Sequence, residues 1–394
     1  EGSGYFIGYT QKGWEPNDFK LHGWTKYPLG KAYNKQRLQP PTSGIVSNDY
    51  AANFAEFLND CPENKPFFFW FGSSEPHRAF ETRSGAKHGV DPSKVVVPGF
   101  LPDVPEVRND IADYLFEIQW VDQHLEIMMA MLKERNQLDN TIIIVTSDNG
   151  MPFPSAKNNL YEYGIHMPLA IRWPEGIKRG GRTVEDLVSL TDLAPTLLEC
   201  AGIQEPVEMT GRSLVEIFNS MSSGRVDKSR NYVFAGKERH TVCRADDLPY
   251  PQRSVRDHQF LYIRNLEPDR WPAGAPDMLS AHGWVYGDID KSPSLAYLMD
   301  HQNGKGVKGL FELAVAKRPG EELYDIVADP FCLANLASKA EFAKDKGRLA
   351  KALADYRVKT ADPRALTGKS AWDTFPYYHQ NPKGLVPYPK MMGK

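Results

Sequence analysis

Four short segments of this 394-residue chain carry side chains able to do chemistry. An apolar run at 141–146 ends in Ser147-Asp148-Asn149-Gly150. A carboxylate beside an amide carbonyl suits a hard cation such as Ca²⁺ or Mg²⁺, although Asp-Asn-Gly is also good turn chemistry. A second apolar run, 66–72, leads through Ser73-Ser74-Glu75-Pro76 to His77 and Arg78. Imidazole can bind an anion or move a proton near neutral pH; a solvated surface histidine is the plainer alternative. Lys12 follows a third run at 5–10, where a compact ammonium can bind a sulfuryl or phosphoryl oxygen. Lys157 comes shortly after the Asp-Asn pair, within Lys157-Asn158-Asn159-Leu160-Tyr161-Glu162, and supplies a second cation near the proposed metal. Each segment alone has a bland reading, but together they can converge on one crevice.

The elements that must position them are strands and helices in alternation. Runs at 5–10, 66–72, 141–147 and 168–173 read as strands, three of them apolar enough to be covered on both faces. Asn48 can cap a helix whose apolar face holds Ala51, Phe54, Ala55 and Leu58. The longest helix is expected over about 109–135, with Ile111, Leu115, Ile118, Leu125, Met128 and Leu132 at helical spacing. Another follows Thr191-Asp192 and ends at Gly202. This alternation predicts an α/β fold, a doubly wound, mostly parallel sheet flanked by helices, over 1–225. Sites in such sheets open at the carboxyl ends of the strands, where the four segments lie.

From 226 to 394 the pattern predicts a smaller α+β domain. A hairpin at 254–256 and 259–264 is followed by a strand at 322–326 and a charged amphipathic helix over about 338–359. Its basic residues Arg239, His240, Arg244, Arg253 and Arg256 can line the far side of a pocket for an acidic glycan, or form an ordinary solvated face. His240 and Arg253 are the expected substrate contacts.

Bulk properties narrow the classes. The net charge of −3 gives no overall basic field for nucleic acid. No apolar run approaches the ~20 residues that span a bilayer. Cys61, Cys200, Cys243 and Cys332 form no CxxC pair, which argues against a zinc ribbon or redox motif. The chain lacks an N-x-S/T sequon, which leans away from a glycosylated protein. The run Tyr5-Phe6-Ile7-Gly8-Tyr9 reads as a core strand directly after Glu1-Gly2-Ser3-Gly4, so an upstream portion of roughly 100 residues is expected.

These residues resemble a known family. Ser147-Asp148-Asn149-Gly150 with Lys157-x-x-Leu160-Tyr161-Glu162 is similar to the sulfatase pattern in which Asp-Asn completes a Ca²⁺ site and a lysine binds sulfate. Glu75-Pro76-His77-Arg78 resembles that family's Pro-His motif, and Thr10-Gln11-Lys12-Gly13-Trp14 its Gly-Lys-x-His motif. Glu322-Leu-Tyr-Asp-Ile with Asp329-Pro330 and Asn335-Leu336 looks like its C-terminal signature. Asp148-Asn-Gly-Met-Pro-Phe-Pro-Ser155, Asn159-Leu-Tyr161 and Pro251-Gln-Arg-Ser-Val255 resemble the heparan N-sulfatases within it.

The resemblance implies an alkaline-phosphatase-like fold and hydrolysis of sulfate groups, with the N-sulfate of glucosamine in heparan-type glycans favoured and O-sulfate esters an alternative. It implies Asp148 and Asn149 as Ca²⁺ ligands (Mg²⁺ being the alternative), Lys12 and Lys157 on the sulfuryl group, and His77 at the leaving atom. It also implies a formylglycine nucleophile from a C/S-x-P/A-x-R motif that none of the four cysteines matches, expected upstream. Trp14 stands where many sulfatases have histidine, and Asp246-Asp247 reads as a loop feature, not as the family's first-strand Asp-Asp pair. An extracytoplasmic setting is implied, the bacterial periplasm before a lysosomal or secreted one. A sulfated-glycan-binding pseudo-enzyme and a phosphohydrolase of the same superfamily remain the alternatives. Oligomeric state is not legible.

Overall fold

Residues 2–13, 19–22, 24–366 and 371–374 are described by the structure, a computed structural model. Trp14 lies outside them. Strand β1, Phe6–Gln11, runs parallel to a short β2, Lys31–Ala32, on one edge and to β3, Phe67–Gly72, on the other. Alternation along β3 sends Phe67, Phe69 and Phe71 onto one helical layer. That layer holds Tyr50, Phe54 and Phe57 of α1, Tyr50–Asp60, and Met128 and Leu132 of α2, Pro105–Glu134. The cap of α1 is Asp49, whose carboxylate accepts from Ala52 N at 3.0 Å. Asn48, the expected cap, instead donates to Thr10 Oγ1 at 3.0 Å and ties the helix to β1.

The next strand, β4, Ile143–Thr146, brings Ile143 onto the same layer. Among the described residues it pairs only with β5, Leu169–Arg172, and antiparallel. Among the described residues no ladder joins β3 to β4, so the expected continuous sheet is present as two pieces on one helical layer. Trp70 of β3 is 46% exposed and Val145 of β4 43%, values foreign to interior strands of a doubly wound sheet. The helix expected after Thr191-Asp192 is α3, Leu193–Cys200, and Gly202, at φ +65°, follows it.

Helix α2 buries Ile111, Met128 and Leu132 of its expected face but turns Leu115 and Ile118 outward. Leu115 and Ile118 are 37% and 38% exposed, whereas Asp110, Asp113, Glu117 and His124 are buried. For Asp110 and Asp113 partners wait on that side. Asp110 pairs with Arg78 at 2.6 and 2.8 Å, and Asp113 accepts from the amides of Arg83 and Gly85 at 2.9 and 2.8 Å.

The remaining strands form one antiparallel sheet: β6, Val233–Lys237; β7, Gln252–Arg256; β8, Phe260–Asn265; and β9, Glu321–Asp325. One face packs Leu261, Ile263 and Tyr324 against Leu160 and Tyr161 of the preceding core. The other packs Val255, Tyr262 and Leu323 under Leu349 and Leu353 of α5, Ala343–Lys359. Between β8 and β9 lies α4, Pro293–Asp300, whose Leu295 and Leu298 join Val107 and Ile111 of α2. Among the described residues no helix is long and apolar enough to cross a membrane.

Candidate active site

His77 is presented by a rigid turn at the end of β3. Glu75 is buried, accepting from Tyr50 Oη at 2.5 Å and from Val46 N at 2.9 Å. The Ser74 amide donates to Tyr50 Oη at 3.0 Å, and His77 N donates to Ser74 O at 2.9 Å. Arg78, next along, is clamped by Asp110 and lies between the Phe80 and Phe153 rings at 4.5 and 4.6 Å. Arg78 is therefore a structural cation, while His77 is left at the surface. His77 Nδ1 lies 2.7 Å from Arg78 O, a carbonyl, so Nδ1 carries the proton and Nε2 is the free face of the ring.

Lys157 reaches that face. The loop carrying it folds back tightly after β4: Lys157 N donates to Met151 O at 3.1 Å, and Gly150 N to Gly164 O at 3.3 Å. Gly150 is obligatory, since a Cβ there would overlap the Tyr163 carbonyl. Lys157 Nζ ends 3.4 Å from His77 Nε2 and 2.8 Å from Asp290 Oδ2, with its side chain only 8% exposed. Loss of water around the imidazole and, next, the Lys157 charge hold His77 below its ordinary basicity. Because the residue as a whole is exposed, the neighbouring ammonium is the firmer cause. Lys12 also acts on His77 through its charge, and its amide donates to Gly72 O at 2.7 Å at the end of β3.

The far wall comes from residues beyond 226. His240 Nδ1 is 2.9 Å from Asn158 Nδ2, and burial pushes the imidazole down to about 4, against the opposing pull of Asp288. Asp288 is 2% exposed and gathers Lys237 Nζ at 3.2 Å, Arg244 Nη2 and Thr241 N. Burial opposes its charge, yet Arg244 and Lys237 hold it far below the usual carboxylate range. Its main-chain oxygen accepts from Asn158 at 2.6 Å, fixing the residue next to Lys157. Burial likewise opposes the Asp290 charge, and Lys157 overcomes it.

Sequence reasoning did not single out Asn158, Asp288 or Asp290. Gly287-Asp288-Ile289-Asp290, two acids straddling a buried isoleucine, was the available signal.

The structure brings Lys12, His77, Lys157 and His240 together. Arg253, an expected substrate contact, is not with them. Along β7 it shares the face of Val255, toward α5, where Glu238 at 2.7 Å and Asp362 at 3.0 Å neutralise it. The other expected basic residues are also taken: Arg239 by Asp247 at 2.6 Å, Arg244 by Asp288 and Arg256 by Glu162 at 2.8 Å. No open basic face is made by these arginines.

Asp148 is exposed at the end of β4, and Asn149 Nδ2 donates to Gly150 O at 2.8 Å, leaving the amide oxygen for a ligand. Oxygen donors of this kind fit Ca²⁺ in type but not in number, since the ion takes about 6–8 oxygens. Among the described residues no group of three or more His, Cys, Asp or Glu is placed to hold a metal. The four cysteines are free thiols.

Comparison with known proteins adds to this geometry. Residues 3–203 match the family described as Sulfatase, and residues 155–267 match N-sulphoglucosamine sulphohydrolase, C-terminal. Human N-sulphoglucosamine sulphohydrolase is 29% identical over 371 residues, covering 86% of this chain and 70% of that protein. An ulvan-active sulfatase of Formosa agariphila is 27% identical over 300 residues, 75% of this chain. The match spans only 46% of that relative's length. A solved structure described as a complex with "its substrate D-Glucosamine-2-N, 6-O-disulfate" has a TM-score of 0.53 at 19% identity, covering 82% of this chain and 73% of that one. The likeness is one of fold: mixed α/β of the alkaline-phosphatase-like kind, with a parallel sheet and a C-terminal antiparallel sheet.

Proposed function

Since the chain belongs to the sulfatase family, we propose that the complete protein hydrolyses sulfate groups of a sulfated glycan, the N-sulfate of glucosamine in a heparan-type chain first among them. The observation that carries this reading is Lys157 Nζ at 3.4 Å from His77 Nε2, two groups from separate strand ends facing one point. The name of the human relative favours glucosamine N-sulfate over an O-sulfate.

In this reading Lys157 and Lys12 hold sulfuryl oxygens and neutralise charge as it grows on them. His77 Nε2 faces the leaving atom; when the ring takes up a second proton there, it hands that proton on. His240 and Asn158 bound the sugar side. Asp148 and Asn149 contribute two oxygens to a Ca²⁺ site that residues outside the described set must complete. None of Cys61, Cys200, Cys243 and Cys332 stands in the motif that yields a formylglycine nucleophile, so none is given that role. The protein works outside the cytoplasm, the bacterial periplasm being the favoured compartment.

The test is sulfate release by the complete protein from N-sulfoglucosamine, from glucosamine 6-O-sulfate and from an aryl sulfate. The assay is run before and after chelation, with Ca²⁺ added back. Turnover lost on chelation and restored by Ca²⁺ supports the reading; binding of the sulfated sugar without any sulfate release replaces it with a non-catalytic one.

A further inference from the structure

A pocket built only to bind an anion gains nothing from a carboxylate on its lysine. Yet Asp290 Oδ2 lies 2.8 Å from Lys157 Nζ, with both side chains nearly buried at 13% and 8% exposure. Asp290 is not consumed elsewhere in the way Asp288 is, which is held by Lys237, Arg244 and Thr241. Its charge also acts on His77 and His240, so it borders the point where the leaving atom must stand. For a dianion-like sulfuryl group this placement is unfavourable in itself: like charges a few ångströms apart repel even at a generous effective dielectric.

The chemistry of the leaving group gives that carboxylate a use. When a sulfamate is cleaved, an oxygen nucleophile forms the new S–O bond and the S–N pair stays on nitrogen. The nitrogen is basic enough to take a proton before that bond breaks, so it carries positive charge in the transition state and departs as a neutral amine. When a sulfate ester is cleaved, the departing oxygen carries negative charge until it is protonated. A fixed carboxylate stabilises the first transition state and opposes the second.

We infer that Asp290 is a specificity-determining residue that favours a leaving nitrogen over a leaving oxygen. This rests on the sulfatase reading above. Lys157 binds the sulfuryl group, and Asp290 holds Lys157 in place while presenting its second oxygen to the departing amine. His77 takes up a proton from solvent at Nε2, favoured by the charge of Asp290, which offsets that of Lys157 at the ring, and passes it to the nitrogen.

The test is Asp290→Asn in the complete enzyme, which keeps the shape and removes the charge. The ratio of kcat/KM for N-sulfoglucosamine to that for the 6-O-sulfate is expected to fall about tenfold or more. Inhibition by inorganic sulfate is expected to strengthen, because a repelling charge has left the anion site. If Asp290 merely anchors Lys157, both substrates lose activity by the same factor and sulfate binds more weakly; either result overturns the inference. Asp290→Glu, which keeps the charge, is expected to retain more of the ratio than the asparagine variant, and thermal unfolding of both variants shows that they fold. A wild-type enzyme that cleaves the O-sulfate but not the sulfamate removes the N-sulfatase reading, and this inference with it. An unchanged ratio in an enzyme that cleaves both overturns the inference alone.

Discussion

Replacing Glu117 by glutamine isolates one buried proton whose effect on stability can be worked out in advance. Glu117 sits on α2 with 0% exposure, and neither carboxyl oxygen has a hydrogen-bond partner. The 42–45 loop closes over it so tightly that a Cβ on Gly44 would come within 2.8 Å of Oε1. Burial first, and the charge of Glu75 next, push its pKa from 4.5 up to about 8, against the pull of Arg78. The folded protein therefore keeps a proton that the unfolded chain releases above pH 4.5. Stability contributed by this group is full below about 4.5, falls by about 1.4 kcal/mol per pH unit above it, and levels off near 8. Between pH 5 and pH 7 the loss is about 3 kcal/mol. Glutamine has nearly the same shape and no proton to lose. The quantity to measure is the difference in urea unfolding free energy, Glu117→Gln minus wild type, at pH 5, 6, 7 and 8. All other titrating groups cancel in that difference, and so does the constant cost of a buried amide. It should rise in favour of the variant by about 1 kcal/mol or more per pH unit up to pH 7. A difference that stays flat over this range would mean that Glu117 is ionised or solvated in the folded protein, and the argument from its burial would fail.

Lys157→Ala should lower kcat/KM by about 10²- to 10³-fold, the usual loss when one charge-stabilising group is removed, and should weaken inhibition by sulfate. Steady-state assays with added sulfate check both. Arg253→Ala should behave oppositely: Glu238 and Asp362 lose one arginine but keep Arg364 and Arg357, so chemical denaturation should report a loss of about 1–2 kcal/mol, while kcat/KM of the folded protein is retained. A drop in kcat/KM without a drop in stability would return Arg253 to the site. For His240, whose folded pKa of about 4 lies below the ordinary 6.5, the unfolded chain takes up a proton first as the pH falls. Stability should therefore decline from about pH 6.5 toward pH 4, and His240→Gln should flatten that acid limb in thermal unfolding.

What was legible in the sequence was whatever depends on local order. Short apolar runs located β1, β3, β4 and β5 to within two residues, and the polar residues after them, His77 and Lys157, do meet. What was not legible depends on parity and on distant partners. Arg253 has the right chemistry for a substrate contact, but one step along β7 decides which face of the sheet it occupies, and no local pattern states that. The apolar spacing of α2 pointed Leu115 and Ile118 inward. The helix instead buries Asp110 and Asp113, because Arg78 and two amides lie on that side. Asp288 and Asp290 stand in a stretch without periodicity, and their importance comes from Lys237, Arg244 and Lys157, which are 44–133 positions away. The break between β3 and β4 follows from pairing, which the apolar runs do not specify.

The same distant pairings explain why the site needs both halves of the chain. Lys157 belongs to the α/β core, whereas Asp290 and His240 come from beyond residue 226. Three buried carboxylates hold the seam between them. Asp110 binds Arg78 on one side and Ser294 Oγ, at 2.5 Å, on the other. Glu322 of β9 accepts from Tyr161 at 2.9 Å as well as from Tyr324 at 2.6 Å and Asn265 at 2.6 Å. Glu162 takes Arg256. Ion pairs this deep add little net stability, because desolvation cancels much of the attraction. Their directional bonds do exclude a slipped or rotated packing of the two halves, as apolar contacts such as Leu261 on Leu160 cannot. A slip of one ångström at this seam would separate Lys157 from Asp290 and leave His77 facing an unrestrained ammonium. The buried charges of the seam therefore act on the chemistry through position, and replacing a whole pair by apolar residues of like shape should appear in kcat before it appears in the unfolding curve.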